Sequence, residues 1–404
     1  MVPPPPPVWP VILAGFASFT NLYATQPLLP LLMRVFGASH FAVSLTVTAP
    51  TLAVAIAAPI AGRFADRVGR KRVIVGAASL MALATALAAT SRSLEQFIFW
   101  RFVQGLLTPG IFAITIAYIH EEYPSTYAGR ATGAYVSGTV TGGFCGRVLT
   151  GLVAADLDWH LAFVALAIVN LALAAAIARW MPHEKARPRQ HGAGHRRSLM
   201  SLLTNRRLIA TNVVGFCVLF SQVAVFTYVT FHLEAAPYAL STAALGWLFI
   251  VYLFGAAMTP IAGRWVDIHG HRAGLGLGMG VGLTGAALTL SPPLWAIVIG
   301  LALVGTGVFI AQATASSYIG AVTSADRGLA VGLYSTAYYL GGSLGGALPA
   351  AFWNAGGWIA CVLLVMAVQA ATLAIALAFW HPVTSGVAEL PRGQRHVVPP
   401  LAGD

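Results

Sequence analysis

Two arginines, Arg101 and Arg147, stand inside long apolar stretches of this chain, and no Asp or Glu stands in any such stretch. A guanidinium is a planar fork of five donors that suits a carboxylate or phosphate. At the centre of an apolar helix it costs at least about 2.5–3.5 kcal/mol, so a functional or paired role is its default reading. In one reading the two arginines form an electropositive region that draws a substrate carboxylate or phosphate. In the other, Arg101 bonds backbone carbonyls, polar side chains and water, and Arg147 is a structural partner to neighbouring helices.

Catalytic chemistry finds no footing. No nucleophile–base set or metal set converges in the sequence, so no enzyme and no metal is expected. Cys145, Cys217 and Cys361 lie in apolar stretches without metal spacing and read as small buried residues. His183, His191 and His195 sit among Pro and Gly and read as a disordered linker. No Gly-x-x-x-x-Gly-Lys-Ser/Thr loop is present, so ATP is not the energy source. Gly280-Val-Gly282-Leu-Thr-Gly285 fits a dinucleotide fingerprint by letter, yet no strand precedes it and no acid follows at the required distance. It reads as a small-residue packing face, and no cofactor is expected.

The elements that must position the arginines follow from composition. Of 404 residues, 58% are hydrophobic and 9% are charged, against roughly 25% charged in soluble domains. Lipid is the solvent such a chain needs. About 20 apolar residues cross the hydrocarbon core. Charge-free stretches of that size occupy 1–33, 35–62, 73–91, 159–178, 208–233 and 235–263. The run 273–325 holds two spans hinged at Pro292-Pro293, and 328–388 holds two more hinged near Asn354–Gly357. Stretches 96–119 and 130–154 carry one arginine each, which makes twelve spans. They are helices, because an open backbone cannot satisfy its hydrogen bonds in lipid, and long apolar runs exclude a barrel.

The net charge of +11 invites a nucleic-acid reading, but its placement argues for topology. Nineteen of 23 basic residues fall in loops and tails on one side, beginning with Arg63, Arg67, Arg70, Lys71 and Arg72; Arg34 and Arg92 alone fall on the other. Both termini are therefore expected in the cytoplasm. The expected divisions are a Pro-rich tail over 1–8, a six-helix bundle over 9–181, a basic linker over 182–207, a second six-helix bundle over 208–381 and a tail over 382–404.

The two halves repeat each other. Pro-Ile-Ala-Gly-Arg occurs at 59–63 and again at 260–264, followed by Asp66 and Asp267 at the same offset. Gly133, Tyr135, Gly142, Gly143, Gly146 and Trp159 match Gly332, Tyr334, Gly341, Gly342, Gly345 and Trp358. Identities this dense at near-constant spacing mark an internal duplication. Two pseudo-equivalent bundles suit a transporter whose substrate sits between them near the midplane.

The loop Gly62-Arg-Phe-Ala-Asp66-Arg67-Val-Gly69-Arg70-Lys71-Arg72 resembles the signature loop of the major facilitator superfamily, with a degenerate copy from Gly263 through Asp267 to Arg272. Arg101-Phe-Val-Gln104-Gly105 resembles that family's second motif. The resemblance implies an all-α membrane protein of twelve helices in two pseudo-symmetric bundles, working by alternating access. It implies that Arg101 is the coupling arginine and that spans 1, 4, 7 and 10 line the central cavity. It also implies that Asp66 faces the start of span 11 near Gly328, a contact that holds one state and breaks in the other. By pseudo-symmetry Asp267 would face the start of span 5 near Arg130. Gly62 is expected to permit close helix approach. Asn21-Leu-Tyr23-Ala-Thr-Gln26-Pro27-Leu-Leu-Pro30 and Glu121-Glu122 are similar to the bacterial arabinose-efflux and acriflavine-sensitivity type of inner-membrane permease. One departure is Thr139, which stands where the antiporter signature of span 5 places a proline after glycine.

Polar residues recur on single helical faces, where lipid would penalise them. The candidate cavity residues are Asn21, Thr25, Gln26, Arg101, Gln104, Thr108, Arg147, Ser221, Gln222, Tyr228, Gln312 and Ser316. Thr115 and Tyr118 continue the face on span 4. With no carboxylate in mid-span, the proton-coupling candidates are Glu121, Glu122, His232 and Glu234, all at helix ends. The leading expectation is export of drugs or small metabolites driven by proton entry. The alternative is uptake or exchange of a small organic anion near Arg101 and Arg147. Expected partners are a small-molecule substrate, membrane lipid and protons, with no nucleic acid and no nucleotide. A channel or a membrane enzyme would need features absent here.

Overall fold

The structure is a computed structural model that describes residues 6–184, 202, 204–323 and 327–380. Among the described residues it is helical throughout, with no strand. The elements are α1 (Trp9–Thr20), a 3-10 turn (Gln26–Leu28), α2 (Leu29–Phe36), α3 (His40–Val68), α4 (Arg70–Ala88), α5 (Leu94–Glu122), α6 (Ser125–Asp156) and α7 (Trp159–Trp180). After the linker come α8 (Arg206–Glu234), α9 (Thr242–Leu248), α10 (Val251–His269), α11 (His271–Leu288), α12 (Leu294–Val322), α13 (Arg327–Ala347) and α14 (Pro349–Phe379). Among the described residues, eight helical segments are by themselves long and apolar enough to cross a membrane. The other four crossings are the broken first span and the glycine-rich helices α6, α11 and α13, giving the all-α membrane architecture of two six-helix bundles. His191 and His195 lie outside the described residues.

The expected hinges fall where the sequence places them. Pro292 and Pro293 separate α11 from α12. Gly356 and Gly357 leave helical geometry inside α14, with Gly357 at φ 60°, a region that favours glycine.

Glycine spacing explains how the repeat packs. A Cβ added at Gly142 would lie 2.3 Å from Phe16 O, and one at Gly146 would lie 1.9 Å from Thr20 O. The matching glycines, Gly341 and Gly345, stand the same way against Phe216 O and Phe220 O, at 2.0 and 2.4 Å. Span 5 thus rides on span 1, and span 11 on span 7, with backbones in contact. The close packing that a proline would favour is present without it: Thr139 is half-buried and α6 stays unbroken. The glycines of the dinucleotide decoy lie within α11: Gly285 faces Gly300 O of α12 and Gly282 faces Gln369 of α14, whereas a Cβ on Gly280 would meet nothing within 4 Å.

Two expectations need correcting. Gly62 makes no close approach, since nothing lies within 4 Å of an added Cβ. Of the three cysteines, Cys361 is buried, Cys217 is half-buried and Cys145 is exposed, because it lies beside the Gly142–Gly146 stripe, one turn on from the exposed Thr141.

The seam between the bundles is closed at one end. At the Arg34 end, Arg34 pairs with Glu234, and His40 packs on Phe231 and Trp353 at ring distances of 4.8 and 5.4 Å. In the middle, Thr48 Oγ1 donates to Ser343 O at 3.1 Å and Phe112 meets Tyr339 at 6.3 Å. At the Asp66 end neither Asp66 nor Asp267 forms an ion pair across the seam among the described residues. Asp66 has its side chain 62% exposed and pairs with Arg70 of its own loop. Asp267 and Arg130 form no ion pair, and a Cβ on Gly328 would touch nothing. The expected contacts of Asp66 with the start of span 11 and of Asp267 with Arg130 are thus not made in this structure.

Candidate functional site

Span 1 breaks where the cavity candidates begin. Pro27 and Pro30 carry no N–H, and each ring crowds the carbonyl four residues back. Helix α1 ends at Thr20 and regular α-helix resumes at Leu29. In between, the Gln26 N–H turns to Tyr23 O and the Leu28 N–H turns to Thr25 O. The carbonyls of Leu22 and Ala24 lose the donors that a continuous helix would supply. Buried carbonyls must be paired, and side chains from two other spans do it. Arg101 Nη2 donates to Leu22 O, and Thr150 Oγ1 donates to Ala24 O, each at 2.7 Å.

Four of the five Arg101 N–H donors are paired. It also donates from Nη1 to Asn21 O at 2.9 Å, from Nε to Thr46 O at 3.0 Å, and to Gln104 Oε1. It is wholly buried. Around it Asn21 and Asn170 bond each other, Thr85 Oγ1 donates to Asn21 Oδ1 at 3.0 Å, and Gln104 Nε2 donates to Thr85 Oγ1 at 3.1 Å. Asn21, Arg101 and Gln104 thus belong to a closed network inside the first bundle.

Arg147 is held differently. Its Nε donates to Gln26 Oε1 at 2.8 Å and its Nη1 to Gly143 O at 2.6 Å. Its Cζ lies 5.0 Å from the ring centroid of Tyr23, 4.6 Å from Phe249 and 5.1 Å from Tyr252. A guanidinium among aromatic rings gains cation–π attraction, but no carboxylate neutralises it. Gln26 Nε2 in turn donates to Thr227 Oγ1 at 3.2 Å, across the seam. Phe249 and Tyr252 belong to the second bundle and flank the break between α9 and α10, so Arg147 lies on the seam itself.

The remaining candidates divide by their partners. The hydroxyls of Thr108 and Ser221 bond their own helices, at Gln104 O and Cys217 O. Tyr228 donates to Gly346 O at 3.0 Å. Thr25 has a buried hydroxyl that meets no partner among the described residues. Gln222 is half-buried beside the Tyr252 hydroxyl, Gln312 is half-buried and Ser316 is exposed.

The helix-end acids and the signature loops are tied into networks of their own. Arg70 forks onto both carboxylate oxygens of Glu121, reaches Asp66 at 3.3 Å, and its backbone N–H meets Glu184. A Cβ on Gly69 would meet the Glu184 carboxylate, and the φ of 103° there favours glycine. Arg67 is exposed at the end of α3, and Glu122 closes α5. Glu234 pairs with Arg34. His232 stacks on Trp358 at 5.4 Å and meets Tyr238 edge-on at 5.2 Å. Gly263 and Asp267 border a small cavity of about 110 Å³ with Ile310, Thr314 and Ser317.

A family model described as the Major Facilitator Superfamily matches residues 11–245 and 231–403. The chain belongs to the Major Facilitator Superfamily. It is 31% identical over 373 residues to the MFS-type transporter YybF of Bacillus subtilis, covering 91% of this chain and 90% of that one. It is 31% identical over 349 residues to the inner membrane transport protein YnfM of Escherichia coli, covering 85% and 83%. The nucleoside transporter NupG shares the fold, with a TM-score of 0.74 at 13% identity over 93% of this chain and 100% of that one. Superfamily membership makes the chain a membrane-embedded secondary transporter of a small molecule.

Sequence reasoning about this superfamily member missed Tyr23, Phe249, Tyr252 and Thr227 around Arg147, and Thr85 and Asn170 around Asn21. Aromatic residues in an apolar run look like lipid-facing or core positions. The available signal was the Pro27–Pro30 pair, which marks a break and therefore freed carbonyls that Arg101 and Thr150 satisfy.

Proposed function

We propose that this transporter carries a small organic anion, with Arg147 as its charge-recognising residue and an aromatic wall of Tyr23, Phe249 and Tyr252 around it. The observation that carries this reading is the contrast between the two buried arginines. Arg101 has four bonds to fixed partners, whereas Arg147 has two bonds, three rings and no counter-charge at the seam. A carboxylate or phosphate meets a fork there, and the rings suit a flat apolar body. A cationic solute would face an unneutralised charge. Gln26, Gln222, Gln312 and Ser316 complete the proposed polar lining. Asn21, Gln104 and Thr108 support it from behind.

The bundles over 9–181 and 208–381 are taken to rock about this site, with 182–207 as linker and 1–8 and 382–404 as tails. The basic-residue asymmetry supports a bacterial inner membrane with both termini cytoplasmic, so that the Asp66 end faces the cytoplasm. The Asn21–Pro30 and Glu121–Glu122 patterns resemble those of the arabinose-efflux and acriflavine-sensitivity exporters, but an anion held at Arg147 fits uptake or exchange in place of proton-driven export. Glu121 and Glu234 would have to leave their ion pairs to relay a proton. His232, which stacks on Trp358 and holds no ion pair among the described residues, would not.

The test is transport in proteoliposomes with pH and voltage gradients set separately, using carboxylates, neutral solutes and cationic dyes. Arg147→Ala abolishes carboxylate transport and spares any neutral solute that is carried. Equal loss for all solutes, or cations as the preferred cargo of the wild type, would overturn the anion assignment.

A further inference from the structure

Resting on the reading of Arg147 as the anion site, we propose that the same arginine is the latch that makes this carrier an exchanger: it closes the Arg34 end when the site is empty and releases it when an anion binds. Arg147 sits on α6 of the first bundle, yet two of its three rings, Phe249 and Tyr252, belong to the second. The bridge from Arg147 through Gln26 to Thr227 crosses the same seam. The backbones also touch there. A Cβ on Gly246 would lie 2.9 Å from Arg147 O, and one on Gly151 would lie 2.9 Å from Thr242 O. No rocking motion opens this end without lifting the guanidinium off Phe249 and Tyr252.

The charge decides when that motion is cheap. Cation–π attraction is electrostatic, and it is strongest when the cation is desolvated and unneutralised. In the empty carrier, lifting Arg147 off the second bundle gives up the Phe249 and Tyr252 rings, and no acid in any span takes their place. With an anion on the fork, the net charge at the rings falls to near zero. The loaded carrier then separates the bundles without stranding a charge. Span 8 is interrupted at Phe249–Ile250, between α9 and α10, which places a hinge beside the contact. The empty carrier stays shut at the Arg34 end, and transport runs as anion for anion.

Spin labels on Val35→Cys and Ser241→Cys, both exposed at the closed end, report its opening in the full chain in nanodiscs. With no solute present, Arg147→Met and the separate double variant Phe249→Leu/Tyr252→Leu should each raise the long-distance population at least about tenfold over the wild type. The aromatic variant keeps Arg147 and its Gln26 bond, so it covers the event that Arg147→Met fails to fold. An unchanged distance distribution in the folded variants overturns the latch even if anions are carried.

The second arm uses benzenesulfonate, a permanent anion. Wild-type vesicles should take up labelled benzenesulfonate against unlabelled internal benzenesulfonate at least about tenfold faster than they lose it into anion-free buffer. Phe249→Leu/Tyr252→Leu should bring the two rates together. Equal rates in the wild type overturn the exchange. No uptake of benzenesulfonate or carboxylates under any condition counts instead against the anion site, while the distance measurement still decides the latch.

Discussion

Pro50 and Arg101 are coupled across two spans: Arg101 Nε donates at 3.0 Å to Thr46 O, the carbonyl four residues before Pro50 that the proline leaves without a helical donor. The guanidinium of span 4 thus repairs one backbone defect in span 2 and another in the broken span 1. That makes Arg101 a brace of the first bundle, in line with the reading in which it bonds carbonyls and polar side chains.

Arg101→Met therefore strands Thr46 O, Leu22 O and the Gln104 amide, and buried polar groups left unpaired cost about 1–3 kcal/mol each. The expected outcome is a large fall in thermal midpoint in detergent and equal loss of transport for every solute. Pro50→Ala returns an N–H to Thr46 O. In the double variant about 1 kcal/mol of the damage, the net worth of one hydrogen bond, should be recovered. A double-mutant cycle with no coupling between 50 and 101 would show that the proline and the arginine act independently.

Gly146→Ala and Gly345→Ala test the duplicated packing. Each new methyl would enter a backbone carbonyl, at 1.9 Å from Thr20 O and 2.4 Å from Phe220 O. Overpacking typically costs about 1–3 kcal/mol, and backbone that cannot yield places these two at the upper end. Gly133→Ala is the control, since its Cβ meets nothing within 4 Å. It should leave the melting temperature unchanged or raise it slightly, because alanine is the better helix former. Similar losses at all three positions would mean that the glycine stripes serve something other than backbone contact.

The helices, the hinges at Pro292–Pro293 and Gly356–Gly357, and the duplication were legible in sequence because each rests on local signals: apolar length, proline, glycine and repeat spacing. The roles of the two arginines were not. Both look alike in an apolar run, and what separates them is which carbonyls have lost their donors. Those carbonyls lie 79–80 residues from Arg101, on span 1. Nor does sequence show that Glu121 and Glu234, two of the helix-end acids, are spent on Arg70 and Arg34, because those pairs form only when distant helix ends meet.

The Arg34–Glu234 pair is a weak fastener for the closed end. Its side chains are 53% and 30% exposed, and exposed ion pairs contribute about 0.2–1 kcal/mol. Glu234→Gln should raise the labelling rate of Thr227→Cys from that end by no more than about fivefold. The difference should vanish near 1 M salt, where the screening length is about 3 Å. A larger, salt-insensitive effect would make this pair, and not the aromatic contacts beneath it, the main closure.

The final prediction uses the imperfect symmetry of the bundles. Asn170 and Gln369 lie 199 residues apart, the offset of the second repeat block, and both are buried in the last span of their bundle. Asn170 bonds Asn21 at 2.8 Å and Leu166 O at 2.8 Å. Gln369 faces Gly282, and neither its Nε2 nor its Oε1 finds a partner among the described residues. The same amide chemistry is thus satisfied in one bundle and unsatisfied in the other. Removing a paired group leaves its partner bare, whereas removing an unpaired one relieves a desolvation cost. Asn170→Leu should lower stability by about 1–3 kcal/mol, while Gln369→Leu should be neutral or stabilising, read as melting temperatures in one detergent. If Gln369→Leu is the more damaging of the two, the amide is engaged in the functioning protein, and the second bundle holds a polar site that its side chains do not reveal.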